Sequence, residues 1–246
     1  MYIMRMRMHK KNMKPRATKK IINRLVNFLY FGNRFRNPFC RELKFLSDYI
    51  PKNGIILEAG AHSGSDTVRM AHAFPRSIIY AFEPEPNAYK KLIKKTYGYN
   101  NIHTYNIALG DKNEKRKLYV SENLLDASSS LLLQTQISKE IHPELKLNRS
   151  VEVTVRTIDS WAQENNINRI DFMWLDMQGN ELQAIKSAKN LLRTVKAIYT
   201  EVLKYNTYEG APLYQEFKEW MEREGFTAKI EREIYDEQVN ILFVKK

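Results

Sequence analysis

Residues 54–64 read GIILEAGAHSG, an apolar run that ends in Glu58 and is followed by Gly60 and Gly64. This spacing is neither the dinucleotide pattern G-x-G-x-x-G nor a phosphate loop ending in G-K-[ST]. The glycines allow backbone to approach a ligand closely, while an acid in the same turn repels a pyrophosphate and attracts an ammonium group. Further on, FEPEP places Glu83 at the end of a second apolar run, where a carboxylate can accept hydrogen bonds from ribose hydroxyls. A methionine-derived nucleoside, with an ammonium at one end and a ribose in the middle, suits this pair of acids better than a dinucleotide.

Two more acids end apolar runs downstream: Asp176 in WLDMQG and Glu201 in YTEV. Either can act as a general base, and together they can hold a divalent ion such as Mg²⁺, which prefers oxygen ligands. His62, inside the glycine turn, and His103 are further base candidates; His62 either faces the ligand or bonds locally. The small Ala108 in NIALGD leaves room for a flat ring, and Asp111 either caps its turn or meets an exocyclic amine.

Strands must deliver these residues to one edge. Short apolar runs at 55–60, 77–84, 101–110, 171–179 and 197–203 alternate with helical patterns at 65–74, 86–96, about 180–193 and 211–224. Strands apolar on both faces, separated by helices, imply a parallel, doubly wound α/β sheet, and such sheets bind ligands beyond the carboxyl ends of their strands. Runs at 226–235 and 240–246 are joined by too few residues for a parallel crossover, so they form an antiparallel hairpin. A mostly parallel sheet closed by a hairpin resembles the Rossmann-like arrangement of class I S-adenosylmethionine-dependent methyltransferases, an analogy of fold that by itself proves no activity.

The stretch 121–150 fits no strand cleanly. Its length and serine content suggest a lid or an acceptor-binding insertion in which Ser129 and Ser130 touch cofactor or acceptor. Asn206, Tyr208 and Tyr214, in and just after YNTYEG, can supply stacking and hydrogen bonds to a sugar, or pack as core.

Charge is unevenly placed. The 246 residues carry a formal net charge of +12, and residues 1–45 hold 13 of the 40 basic residues but only Glu42 among the 28 acids. The remainder, residues 46–246, balances at 27 of each, so the expected globular domain has no basic bias for holding nucleic acid. Within residues 1–45, IINRLVNFLYFG forms an apolar helical face too short to span a bilayer. It either docks on the body or contacts an anionic membrane peripherally. The one cysteine, Cys40, excludes an internal disulfide and points to a reducing, cytoplasmic setting.

The motifs EAGAHSGSDT, FEPEP, NIALGD, VEVTVRTIDSW, DFMWLDMQGNELQAIKSA and VNILFVKK, in this order, resemble those of the FkbM-type methyltransferases over about residues 54–246. The resemblance implies methyl transfer from S-adenosylmethionine to a hydroxyl of a sugar, glycan or other small molecule. Carried over by position, it implies a cofactor pocket of Glu58, Gly60, Gly64, Glu83, Asn106, Ala108 and Asp176. Family members commonly read D-x-E-G where this chain has Asp176-Met177-Gln178-Gly179, so Gln178 replaces an acid while Asp176 and Glu181 remain. The substitution weakens the case for a metal contact there. Two other readings compete: an RNA methyltransferase gripping its substrate with the basic tail, and a non-catalytic scaffold anchored by it.

Overall fold

The structure, a computed structural model, describes residues 43–121 and 128–246. The helix read over IINRLVNFLYFG, with its docking or membrane contact, lies outside the described residues.

Ten strands among the described residues form two sheets. The main sheet comprises β1 (Ile55–Ala59), β2 (Ile78–Phe82), β3 (Ile102–Tyr105), β7 (Phe172–Leu175), β8 (Ala197–Leu203), β9 (Phe226–Tyr235) and β10 (Gln238–Lys245), in the order β3-β2-β1-β7-β8-β10-β9. Pairing is parallel from β3 to β8, and β10 runs antiparallel to both β8 and β9. This is the mostly parallel sheet closed by a hairpin that the sequence implies.

Alternation along the strands splits the core into two layers, because successive side chains point to opposite faces. Leu57, Ala59, Met173, Leu175, Ile241 and Phe243 pack on one face around Trp161 and Phe217. Ile56, Phe172 and Leu242 pack on the other with Met70, Phe74, Leu43, Leu46 and Ile50. Each fully buried aliphatic or aromatic side chain contributes about 1.5–3 kcal/mol of transfer free energy, so burial on both faces dominates the stability of the central strands.

Helices α1 (Ser65–Ala73) and α2 (Pro86–Thr96) follow β1 and β2 directly. The start of α2 is set by sequence: Pro86 needs no amide partner at the first turn, and Glu85 caps it by accepting from the Ala88 N–H at 2.6 Å.

Three expectations are corrected. The run 101–110 is not one strand. It breaks after Tyr105, and β4 (Ala108–Leu109) leaves for a second sheet of order β4-β6-β5, with β5 (Glu114–Val120) and β6 (Arg149–Arg156). Strand β5 is hidden in the sequence by its charge, since its first four residues, Glu114 to Lys117, are all charged and none is buried. The stretch 121–150 is partly ordered into α3 (Gln136–Ile141) and the start of β6; residues 122–127 lie outside the described set.

After α4 (Ile158–Glu164), the helix expected over about 180–193 stops early, as α5 (Glu181–Lys186). Ser187 turns its hydroxyl onto the Ala184 carbonyl and accepts from the Ile158 N–H, while Asp159 takes the N–H groups of Asn190 and Leu191. These bonds replace helical ones and end the segment. The last helix, α6 (Tyr214–Arg223), precedes the hairpin.

Candidate active site

The tips of β1, β2 and β7 meet where the chain reverses its direction of growth across the sheet. Gly60 (φ 85°), His62 (φ 46°) and Gly64 (φ 79°) all take left-handed backbone in the β1–α1 turn. At Gly60 the requirement is absolute, because a Cβ would lie 1.7 Å from the Asp176 carbonyl oxygen. The Asp176 N–H donates to the Ala59 carbonyl at 3.0 Å, which locks the two tips together.

Glu83 follows β2 and is 6% exposed. Its Oε2 accepts from the His62 N–H and its Oε1 from the Glu85 N–H, each at 2.7 Å. Burial pushes its pKa up to about 7, against the pull of these two donors. The Asn106 amide donates to the carbonyls of Glu83 and Pro84, so Asn106 fixes the turn from behind and is exposed.

A cleft at these tips is lined by Ala59, Gly60, His62, Glu83 and Asp176 together with the apolar residues Ile107, Ala108, Leu109, Leu118, Leu131 and Met177. Ser129 and Asn180 also line it. Asn180 donates to the Leu109 carbonyl at 2.8 Å, but its buried Oδ1 has no protein partner. A buried acceptor left without a donor is costly, and an N–H or O–H of a bound molecule would satisfy it.

Asp176 also lines a second cleft of about 530 Å³, with Gln178, Glu201, Tyr208, His142 and Glu237. Asp176 is exposed to solvent where it lines the two clefts. Desolvation raises its pKa, while the Gln178 amide and His62 act in the opposite direction. Glu201 is raised well above the ordinary carboxylate range, first by burial and then by the charges of Asp176, Glu181 and Glu237.

Gln178 (φ 54°) is the hub between them. Its Nε2 donates to Asp176 Oδ1 at 2.9 Å and Glu201 Oε1 at 3.3 Å, its Oε1 accepts from the Tyr208 hydroxyl at 2.9 Å, and its carbonyl accepts from Ser130 Oγ at 2.8 Å. Glu181 is turned away, accepting from the Met177 and Gly179 N–H groups.

The structure therefore brings Gly60, His62, Glu83, Ala108, Ser129 and Asp176 to one cleft and joins Asp176, Glu201 and Tyr208 at the next. Other expected site residues lie elsewhere. Glu58 shares the strand face of Ile56, not that of Ala59; it is buried against Thr67 with a pKa raised to about 8 by burial, and does not line the cleft. Strand alternation is the reason. Gly64 serves packing, since a Cβ there would meet Leu92 Cδ1 at 2.7 Å.

His103 is exposed and stacks on Tyr80, and Asp111 is exposed with Arg116 at 4.0 Å. Asn206 is also exposed, and only its backbone carbonyl is engaged, by Thr135. Tyr214 donates to Glu231 on β9. The sequence does not single out Asn180, His142, Glu237 or the apolar lining of the first cleft. Only Asn180 carries a local signal, an asparagine just before a helix that begins with an acid.

A sequence profile described as Methyltransferase FkbM domain matches residues 58–228. The chain is 27% identical over 160 residues to the 2-O-methyltransferase NoeI of Sinorhizobium fredii, covering 63% of this chain and 66% of the relative. It is 22% identical over 147 residues to Methyltransferase 1 of Beauveria bassiana, covering 55% and 59%. The matched part thus spans just under two thirds of the first relative and about three fifths of the second. Among solved structures, a crystal structure of a fibrillarin complex superposes on 80% of this chain and 75% of its own with a TM-score of 0.50 at 15% identity, a likeness of fold.

Proposed function

Because the chain belongs to the FkbM methyltransferase family, we propose that it transfers a methyl group from S-adenosylmethionine to a hydroxyl oxygen of a sugar, glycan or other small acceptor. The observation that carries this reading is the position of Asp176, which lines both the cleft at the strand tips and the adjoining acidic cleft. One carboxylate stands where two reactants would meet.

The residues fit the cofactor. Glu83, held by two backbone donors, keeps lone pairs for ribose hydroxyls; the apolar lining at Ala108 accepts a flat base; Asn180 Oδ1 can accept from a ligand donor. Glu58 has no direct part in this assignment. When bound, S-adenosylmethionine supplies an electrophilic methyl on a sulfonium.

The chain supplies position and proton transfer. Tyr208 and Gln178 fix the Asp176 and Glu201 carboxylates, Asp176 accepts the acceptor's hydroxyl proton at a carboxylate oxygen, and the apolar lining excludes water. Orientation can be worth about 7–11 kcal/mol, against about 10²–10⁴-fold for a general base. Loss of Asp176 should therefore slow the enzyme without silencing it. An upward-shifted carboxyl suits this work better than an ordinary one, because its proton affinity lies closer to neutrality.

Mg²⁺ at Asp176 and Glu201 is the competing use of the same pair. The Gln178 amide already donates to both, and among the described residues no group of three or more His, Cys, Asp or Glu side chains is placed to hold a metal ion. Among those residues, too, no helix is long and apolar enough to cross a membrane.

Incubation with methyl-labelled S-adenosylmethionine and a panel of sugars, with and without chelator, tests the proposal. Labelled O-methyl product that falls about 10²–10⁴-fold in Asp176→Asn, with cofactor binding retained, supports it. Product equal in the variant contradicts the assignment of the base, and loss of product on chelation restores the metal.

A further inference from the structure

Residues 128–131, between β5 and β6, run along both clefts. Ser128 lines the cleft that holds Glu201, and Ser129 and Leu131 line the one at the strand tips. Ser130, between them, lines neither and is 1% exposed. The sequence suggests that Ser130 touches cofactor or acceptor, but its hydroxyl has another partner: it donates to the Gln178 carbonyl at 2.8 Å.

Ser130 is itself fixed. Its N–H and carbonyl pair with the carbonyl and N–H of Tyr119 on β5, at 3.0 and 2.8 Å, and its Oγ accepts from the Leu132 N–H at 3.0 Å. The hydroxyl thus accepts one bond and donates another, which sets its orientation. Gln178, by contrast, holds left-handed backbone (φ 54°), which is costly for a residue with a Cβ and persists only where its surroundings fix it. Glu181 accepts from the N–H groups of the neighbouring Met177 and Gly179, and Ser130 holds the carbonyl of Gln178 itself.

We infer that Ser130 is a positioning residue for methyl transfer: through the Gln178 carbonyl it holds the Gln178 amide between Asp176 and Glu201. The consequence for turnover rests on the proposed function; the chain of hydrogen bonds does not. That chain runs from β5 through Ser130 and the Gln178 backbone to the amide, which donates to Asp176 Oδ1 at 2.9 Å and to Glu201 Oε1 at 3.3 Å. Tyr208 holds the same amide from the side-chain end. Without the Ser130 hydroxyl the Gln178 carbonyl loses its donor, and the peptide can leave the left-handed region and carry the amide off the two carboxylates. The second sheet, remote from Glu201 in sequence, thereby reaches the reaction centre.

The test reads Gln178 directly. Solvent exchange of its side-chain amide hydrogens is measured by NMR in the full ¹⁵N-labelled chain, the signals being assigned by their absence in Gln178→Ala. Ser130→Ala is expected to speed that exchange about fivefold or more, equivalent to one lost hydrogen bond, while Ser130→Thr, which keeps the hydroxyl, restores the parent's rate. Ser130→Cys, close to serine in size and a much weaker donor, should behave as Ser130→Ala and serves if the smaller side chain disturbs folding. With a sugar that yields O-methyl product, Ser130→Ala should lower kcat about fivefold or more and leave S-adenosylhomocysteine affinity within about twofold of the parent. In a Gln178→Ala background the same substitution should have no further effect, because the two residues act in one chain.

Exchange unchanged in Ser130→Ala and Ser130→Cys overturns the inference, as does a loss of turnover that persists in full without Gln178. Faster exchange shared by Ser130→Thr points to packing and overturns it too. Absence of product with every sugar, or failure of S-adenosylhomocysteine to bind, counts instead against the proposed function, and the exchange rates still decide the role of Ser130.

Discussion

Asp176 and Glu201 share one hydrogen-bond donor, the Gln178 Nε2 that lies 2.9 Å from the first and 3.3 Å from the second. The position between two carboxylates that a cation or a third acid's proton could occupy is thus filled by a neutral amide. The same amide is oriented from its other side by Tyr208. Charge at the reaction centre is therefore tuned by a residue that itself never titrates.

Removing that donor should move the pH profile. Gln178 holds the pKa of Asp176 down against desolvation, so Gln178→Ala lets it rise. The base must be ionised to act, and the acidic limb of the kcat profile should move to higher pH. Once that limb passes neutrality, turnover at pH 7 should fall about tenfold with every further pH unit the limb travels. A variant slower by a constant factor at every pH would show that Gln178 positions without tuning. Pre-steady-state rates across about pH 5–9 with saturating cofactor separate the two cases.

Backbone sterics at the strand tips should be visible in stability. Gly60→Ala combines positive φ with a Cβ placed 1.7 Å from the Asp176 carbonyl oxygen, so β1 and β7 must separate. Gly210→Ala has the positive φ but open space around the new carbon. The second should cost about 1–2 kcal/mol, the bare cost of left-handed backbone, and the first distinctly more. Urea unfolding of both variants gives the comparison; equal losses would mean that the tips can part freely.

Stability should also fall as pH rises. Burial lifts Glu58 to about 8 from its ordinary 4.5, so the folded chain holds that proton over a range in which the unfolded chain has released it. The stabilisation is fully present below about pH 4.5 and is lost as pH rises through about 8. Glu58→Gln, neutral and of the same shape, should flatten the decline, raising the melting temperature near pH 8 by about 2–4 °C for each kcal/mol relieved and leaving it little changed near pH 5. A variant with the same decline as the parent would place the titrating group elsewhere.

The frame of this fold could be read from its sequence because the central strands are apolar on both faces and the punctuation between them is explicit. FEPEP ends β2 and caps α2 with its own prolines and Glu85, and the run 197–203 coincides with β8. In the second sheet VEVTV reads as a strand and falls in β6, but β5 could not be read. Strand β5 pairs with β6 across a long separation, and its exposed charged positions hide the alternation.

The site was legible where backbone geometry and strand ends decide position, as at Gly60, Glu83, Ala108 and Asp176. It was not where the outcome depends on which side of a strand a residue faces. Glu58 reads as a ligand group by spacing, yet one residue of alternation turns it to the other layer. Glu237, His142 and Thr207 come from distant parts of the chain, and only tertiary packing puts them beside Asp176.

The central claim, that the cleft at the strand tips holds S-adenosylmethionine through Glu83, is tested most directly by calorimetric titration of the cofactor into the parent protein and Glu83→Ala. Melting curves of both confirm the fold. Charge-assisted hydrogen bonds are worth about 1.5–3 kcal/mol, so the variant should bind about 10–100-fold more weakly, with Glu83→Gln in between. Equal affinity in the folded variant, or no binding by the parent, would contradict the account.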